Sequence, residues 1–412
     1  MDRTILHCDI NNCYASIETM LNPQYKGKPI AVCGLQEERH GIVLAKSEEA
    51  KVFGVKTGEV IWQAKQKCPE LIIVPPHYEE YLRYSKLIRN IYYDYTNQVE
   101  PFGIDECWLD CTGSIHLFGS GEKIANELKE RVKKEIGVTI SVGVSFNKVF
   151  AKIGSDLKKP DAITVILKEN FKEILWPLSI KEMIGIGKAT SKKLENYGIY
   201  TLGELARTDP KFLKRLLGVN GVALWNYANG RDYTEVKDAF FKPPIKSIGH
   251  SITCTADLLN EEEVENVFLE LSIDISRRLI ENDLEASGVQ ISVRNENLFT
   301  KQYQKATNFP TQSAKELAQT AMEAFRENYI WNYNIRSLGI RAINLKRSGS
   351  FYQIDVFNNY IKHEKNEKIN KALYQIRSKF GNKSITFGSI LGDIKIPKER
   401  PDVVTLPSGS YI

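Results

Sequence analysis

Apolar residues in the first half of the chain fall into short runs of strand length, separated by stretches with helical spacing. Thr4-Ile5-Leu6-His7-Cys8, Pro29-Ile30-Ala31-Val32-Cys33 and Gly41-Ile42-Val43-Leu44-Ala45 are runs of the first kind. A helix is expected from about Cys13 through Glu18, and a short charged one over Ser47–Phe53, stopped by Gly54. A longer helix is expected from His77 to Tyr95, where Tyr81, Tyr84, Leu87, Ile88 and Ile91 recur on one face. There follow a strand with Ile104, Cys107, Trp108 and Leu109, a helix over Ile124–Ile136, a strand over Thr139–Ser145 and a helix over Lys148–Leu157. This alternation predicts an α/β layer.

Two adjacent acids, Asp105 and Glu106, break the apolar pattern of Phe102–Asp110. Burying an ionised carboxylate is costly and two side by side repel, a conflict that a bound divalent cation relieves. A third acid, Asp9, ends the first strand and precedes the turn-prone Asn11-Asn12. Three acids on two strand ends are the minimum for holding Mg²⁺ over a nucleotide triphosphate. Taken alone, an Asp-Glu pair also fits a solvated hairpin tip.

Near residue 168 the pattern changes to short helices punctuated by glycine. Ile184-Gly185-Ile186-Gly187-Lys188, followed by a helix over Ser191–Tyr197, has helix-hairpin-helix character, and Leu217–Ala223 reads as a looser second copy. Glycines of this kind let backbone N–H groups approach a phosphate at a helix N-terminus. One such turn also fits a plain αα connection; two in one segment favour a grip on the DNA backbone.

Residues 233–245, ending Lys242-Pro243-Pro244, read as a linker. Beyond it the expected order is βαββαβ: strand 246–254, helix 261–280, strands 288–293 and 300–307, helix 312–326, strand 337–346. Arg294, Lys301, Lys305, Arg336, Arg341, Lys346 and Arg347 lie on or beside these strands. They fit either a basic sheet face for a phosphate backbone or ordinary surface charge. A short apolar peptide, Gln353-Ile354-Asp355-Val356-Phe357, then stands in polar surroundings. A helix with Ile369, Leu373, Ile376 and Phe380 on one side follows, and an extended or disordered end from Pro397.

Composition adds limits. A length of 412 residues suggests roughly two to four domains. A hydrophobic fraction of 42% and mean hydropathy of −0.31 fit a globular chain with ample core. A net charge of +5 hints at an acidic partner. The sequence has no run of about 18 apolar residues and no basic-then-apolar start of a signal peptide, so a cytoplasmic location and no membrane are expected. The seven cysteines, without a Cys-x-x-Cys pair, are expected as reduced core residues. The six histidines show no zinc spacing.

Several separate motifs, in one consistent order, resemble the Y-family (translesion) DNA polymerases over about residues 1–350. They are Cys8–Ser16, Ser47–Gly54, Gly103–Asp110, Val142–Lys152, Ser155–Pro160, Gly185-Ile186-Gly187 and Ser247–Ser251. Leu44–Lys51 looks closer to the UmuC-like branch than to the DinB-like one. The resemblance implies an α+β, multidomain right-hand polymerase. Its palm would be 1–19 and 78–167, fingers 20–77, helix-hairpin-helix thumb 168–232, linker 233–245, βαββαβ little finger 246–347 and tail 348–412.

It implies template-directed transfer of dNMP to a primer 3′-hydroxyl on two Mg²⁺, held by Asp9, Asp105, Glu106 and the Ile10 carbonyl. Tyr14 would be the steric gate against a ribose 2′-hydroxyl; on residues alone a core tyrosine on a helix is the preferred reading. Cys13, Ser47, Lys51 and Lys159 would meet the nucleotide, and Gly185, Gly187, Lys188, Arg294, Arg336 and Arg341 the DNA. Where many relatives carry Tyr and Arg, this chain has Glu48 and Lys51; Asn11 stands where many have Asp, and Cys13 replaces a commoner aromatic. Gln353–Phe357 resembles the peptide that docks on the bacterial sliding clamp. The expected partners are therefore primer-template DNA, dNTP and the clamp, with a monomeric enzyme of low processivity and no proofreading nuclease. The alternative is a non-catalytic, clamp-tethered scaffold of the same fold. A repair protein that only binds DNA would leave the paired acids unexplained.

Overall fold

The computed structural model describes residues 2–36, 39, 41–350 and 360–397. It falls into two compact units, one from 2–34 and 42–243, the other from 244–350 and 360–397 with the described part of 35–41.

In the first unit, β1 (Ile5–Ile10) is buried throughout and leads through Asn12 into α1 (Cys13–Leu21). A small sheet follows, built of β2 (Ile30–Cys33), β3 (Val43–Lys46) and β4 (Ile72–Val74) in the order β3-β2-β4. Its connections are α2 (Glu48–Val52) and α3 (Ile61–Lys67). After α4 (Tyr78–Tyr93) come β5 (Val99–Phe102), β6 (Glu106–Asp110), α5 (Ile115–Phe118) and α6 (Gly121–Arg131). The helix expected to run to Ile136 instead ends in a π-helical turn over Val132–Ile136. β7 (Ile140–Ser145), α7 (Lys148–Leu157) and β8 (Ile163–Ile166) complete a five-stranded sheet, ordered β5-β6-β1-β7-β8.

Alternation along β1 sorts its side chains. Leu6, Cys8 and Ile10 enter a core with Ile88, Ile91, Tyr92, Ile124 and Leu128 of α4 and α6. His7 and Asp9 point to the other face, where α7 packs. That helix lies so close that a Cβ on Gly143 would be 1.9 Å from the Ala151 carbonyl oxygen.

Five short helices form the rest of the unit: α8 (Phe171–Leu175), α9 (Lys188–Glu195), α10 (Leu202–Arg207), α11 (Pro210–Leu217) and α12 (Val219–Ala228). The second hairpin exists as α11–Gly218–α12, but Gly221 serves packing. A Cβ there would meet the Leu213 carbonyl oxygen at 2.2 Å. The expected linker is not free from 233 onward. Val236 is buried with Ile5, Trp108 and Ala151, the Lys237 N–H donates to Glu100, and the Ala239 N–H donates to the Asn97 carbonyl. An apolar anchor and edge hydrogen bonds thus fix the start of the expected linker to the first unit.

The second unit has the expected βαββαβ order. It comprises β9 (Ile248–Leu258), α13 (Glu261–Glu281), β10 (Leu284–Asn295), β11 (Thr300–Thr311), α14 (Ala314–Asn328) and β12 (Ile335–Arg347), with strands ordered β11-β10-β12-β9. Val264, Phe268, Leu317 and Phe325 of the helices pack on Val289, Ile291, Val293, Leu338 and Ile340.

The expected set of basic residues is split by the strand register. Arg294 pairs with Ser337 and Arg341 with Gln290, on the face away from the helices. Lys305, opposite Val289, lies on the helix side and bonds Glu327 of α14. Arg336 sits at the register shift between Ile335 and Ser337.

The final helix, α15 (Tyr360–Phe380), is present, but its apolar stripe is not what docks it. Ile369 and Phe380 are 46% and 66% exposed, while His363 and Asn370 are buried. His363 and Asn366 bond Glu316, and Glu367 accepts from the Thr311 hydroxyl and the backbone N–H groups of Gln312 and Ser313. Polar bonds tie this helix to α14 and to the end of β11.

Candidate active site

The register of β1 against β6 sets Asp9 directly opposite Glu106. Like charges facing each other across strands are destabilising, and the surroundings show how the conflict is met. Lys159 Nζ lies 2.7 Å from Asp9 Oδ2, and Lys152 Nζ lies 2.6 Å from Glu106 Oε2. The buried ring of His7 places Nε2 3.3 Å from Glu106 Oε2, while its Nδ1 lies 2.8 Å from the Ser155 hydroxyl.

Burial pushes the Asp9 carboxyl up to about 7, with the Lys159 charge pulling against it. Asp105 is raised by burial and then by the Glu106 charge. Burial acts on Glu106 in the same sense, but its bonds to His7 and Lys152 outweigh it and take the carboxyl to about 2.

Asp9, Asp105, Glu106 and Ile10 line one cleft of about 480 Å³ together with Asn12, Cys13, Tyr14, Lys46, Thr57 and Lys159. The three carboxylates share this wall without clustering tightly. Among the described residues, the one trio of acidic, histidine or cysteine groups with ligand atoms all within 4.8 Å is Glu316, His363 and Glu367. Asp9 is instead drawn toward Lys159, and Glu106 toward Lys152 and His7. Carboxylate and carbonyl oxygens are hard donors, and those of Asp9, Asp105, Glu106 and Ile10, partly desolvated on one cleft, fit Mg²⁺.

Tyr14 stacks on Tyr81 with centroids 4.1 Å apart and meets Tyr78 edge-on, so one side of its ring is braced while the residue still lines the cleft. Cys13 lines it too but is otherwise buried. Ser47 departs from expectation. It is buried, its hydroxyl donates to the Lys28 carbonyl, and it accepts from the N–H groups of Ile30 and Ala50 as the cap of α2. That hydroxyl is committed to structure and does not line the cleft. Lys51 bonds Glu48 at 2.7 Å rather than standing free. Asn11 is structural: it bonds the Ser141 and Thr139 hydroxyls and the Asp161 N–H.

Gly185 has φ +88, and Gly187, the N-cap of α9, has open space within 4 Å of where a Cβ would stand, with Lys188 exposed at the helix start. The peptide Gln353–Phe357 lies outside the described residues. Residues that the motifs did not single out are His7, Asn12, Lys46, Thr57 and, as a partner of Glu106, Lys152. His7 was legible in principle, since strand alternation puts it on the face of Asp9.

The impB/mucB/samB family matches residues 8–156, its C-terminal domain 245–356, and the IMS family HHH motif 168–199. A protein of Acetivibrio thermocellus named DNA polymerase IV is 47% identical over 95% of this chain and 98% of its own length. Bacillus subtilis DNA polymerase IV 1 is 39% identical over 94% and 93%. The chain belongs to the Y-family of DNA polymerases. A solved Y-family DNA polymerase chimera of Dbh and Dpo4 superposes with a TM-score of 0.74 at 25% identity, covering 84% of this chain and all of that one. Relatives named DNA polymerase IV put this Y-family chain on the DinB-like side, which corrects the UmuC-like reading of Leu44–Lys51.

Proposed function

We propose that this chain is a template-directed translesion polymerase that transfers dNMP to a primer 3′-hydroxyl in the cleft of Asp9, Asp105 and Glu106. The observation that carries this reading is the convergence of those acids with Tyr14 and Lys159 on one cleft. Two Mg²⁺ ions, when bound by the three carboxylates and the Ile10 carbonyl, supply Lewis-acid stabilisation of the attacking and leaving oxygens.

The chain's own groups do the rest. Lys159 binds phosphate oxygens, Tyr14 closes the sugar side, and His7 with Lys152 holds Glu106 in its orientation. Lys152 also keeps that carboxylate ionised. Gly185, Gly187 and Lys188 present a helix start to a DNA phosphate, and Arg294 and Arg341 present the open sheet face of the second unit to the duplex backbone.

Low processivity without proofreading, a monomeric state, the palm, fingers and thumb limits given above, and tethering through Gln353–Phe357 to the sliding clamp complete the reading. Tethering raises the local concentration of primer ends for an enzyme that grips DNA lightly. Single-nucleotide extension of a primed template is the test. Asp105→Ala should lose at least about a hundred-fold in rate, the scale for one electrostatic stabiliser, with DNA binding kept. Full extension by that variant would refute the assignment. Alanine at Gln353, Val356 and Phe357 should abolish stimulation by the clamp and spare extension without it.

A further inference from the structure

Glu48, in the first turn of α2, holds two donors, one of which, Asn12, lines the cleft. Its Oε1 accepts from Asn12 Nδ2 at 2.7 Å and from Lys51 Nζ at 2.7 Å. Asn12 lines the cleft beside Asp9. It is the N-cap of α1 with φ +48, yet its side chain caps nothing and turns to Glu48 instead. Lys46, also on the cleft wall, adds a second positive field at Glu48, and its own ammonium donates to the Thr57 hydroxyl. The bridge therefore runs from the end of β1, on the cleft wall, to the start of α2.

A carboxamide and two ammonium groups around one anion are the recognition chemistry of a polyphosphate. Here the anion belongs to the protein. We propose that Glu48 is an internal stand-in for a substrate phosphate, displaced from Asn12 and Lys51 when the triphosphate of a nucleotide enters, and so the residue that sets how weakly dNTP is held. This rests on the reading of the cleft as the nucleotide site. Glu48 sets a further carboxylate against Asn12, which lines the same cleft as Asp9, Asp105 and Glu106. Glu48 and Lys51 are 42% and 37% exposed, so water screens the pair and the competition is modest.

Glu48→Gln keeps an acceptor for both donors and removes the charge. In single-nucleotide insertion, its KM for dNTP should fall roughly three- to five-fold, the ratio an ion pair of this exposure carries. The kcat should stay within about two-fold, as expected when only ground-state competition is removed. Titrating the full chain with inorganic tripolyphosphate, without metal or primer, should show tighter binding by the same ratio. In a Lys51→Met background the gain should shrink, because one of the two donors that the carboxylate occupied is gone.

Unchanged or raised KM in Glu48→Gln, with normal thermal unfolding, would overturn the proposal and leave the bridge a strut. Asn12→Ala is the second probe should Glu48→Gln unfold. It removes a donor and should weaken tripolyphosphate binding; unchanged binding would count equally against the proposal. Failure here leaves extension and its loss in Asp105→Ala untouched, so the two readings fail separately.

Discussion

The ammonium of Lys159 sits 2.7 Å from Oδ2 of Asp9 and 2.7 Å from Oδ1 of Asp156. A lysine that bridges a nearly buried carboxylate to a half-exposed one occupies a place where a cation is wanted. It can also turn outward to an anion when that carboxylate is otherwise satisfied. Lys159→Gln should therefore raise the KM for dNTP by about ten-fold or more, the scale of a lost charge-assisted hydrogen bond. Steady-state insertion kinetics would show this, and an unchanged KM would restrict Lys159 to holding Asp9.

Tyr14 is held by the parallel face of Tyr81, whose own hydroxyl donates to Glu18 at 2.5 Å. A ring fixed on one side cannot swing away from a larger sugar. Tyr14→Ala should raise ribonucleotide incorporation relative to deoxyribonucleotide by roughly ten- to a hundred-fold, the ratio set by relieving an overpacked contact. Paired insertion assays with dNTP and rNTP on one template would measure it, and an unchanged preference would return Tyr14 to the core.

The sheet that carries the acids was legible because its strands are short apolar runs, and the acids stood out because they interrupt such runs. The βαββαβ unit was legible for the same reason: α13 and α14 keep one apolar face each. What escaped was set by partners distant in sequence. Ser47 reads as an exposed hydroxyl beside a helix, yet Lys28 and Ile30 claim it. Lys305 reads like Arg341, but strand parity alone puts the one against Glu327 and the other on the open face. The docking of α15 by His363 and Asn370 was hidden too, since hydrophobic periodicity has no term for polar latches.

Gly143 is a residue whose place in β7 has a packing cause. Its absent Cβ lets α7 approach, and that helix carries Lys152 and the Ser155 that orients His7. Gly143→Ala would push a methyl against the Ala151 carbonyl and the Ser155 N–H, at 1.9 and 2.5 Å, both backbone atoms that cannot swing aside. A loss of stability at or above about 3 kcal/mol is expected, read as a fall in the midpoint of chemical unfolding. Unfolding like that of the parent would mean that α7 can shift.

The bond between His363 Nδ1 and Glu316 Oε2, 2.8 Å long, ties α15 to α14 and makes that docking depend on pH. Burial opposes the imidazolium, but the Glu316 bond and the charges of Glu316, Glu367 and Glu285 raise His363 above 6.5. A group raised on folding contributes fully below its unfolded value and loses that contribution as pH climbs through the folded one. Glu316 is itself lowered from 4.5, its bonds to His363 and Asn366 outweighing burial, so its share fades only on acidification below that. Glu367, raised by burial and then by Glu316 against the pull of Thr311 and Gln312, loses its share in the same direction as His363. The His363 and Glu316 shares are both in full between about 4.5 and 6.5, the Glu367 share falls as pH climbs from 4.5, and docking weakens toward alkaline pH. Amide exchange over 360–380, corrected for intrinsic rate, should show less protection at pH 8 than at pH 6. His363→Gln, which keeps a donor but cannot charge, should remove most of that difference. Equal protection of the parent chain at both pH values would show that the imidazole does not titrate in this range.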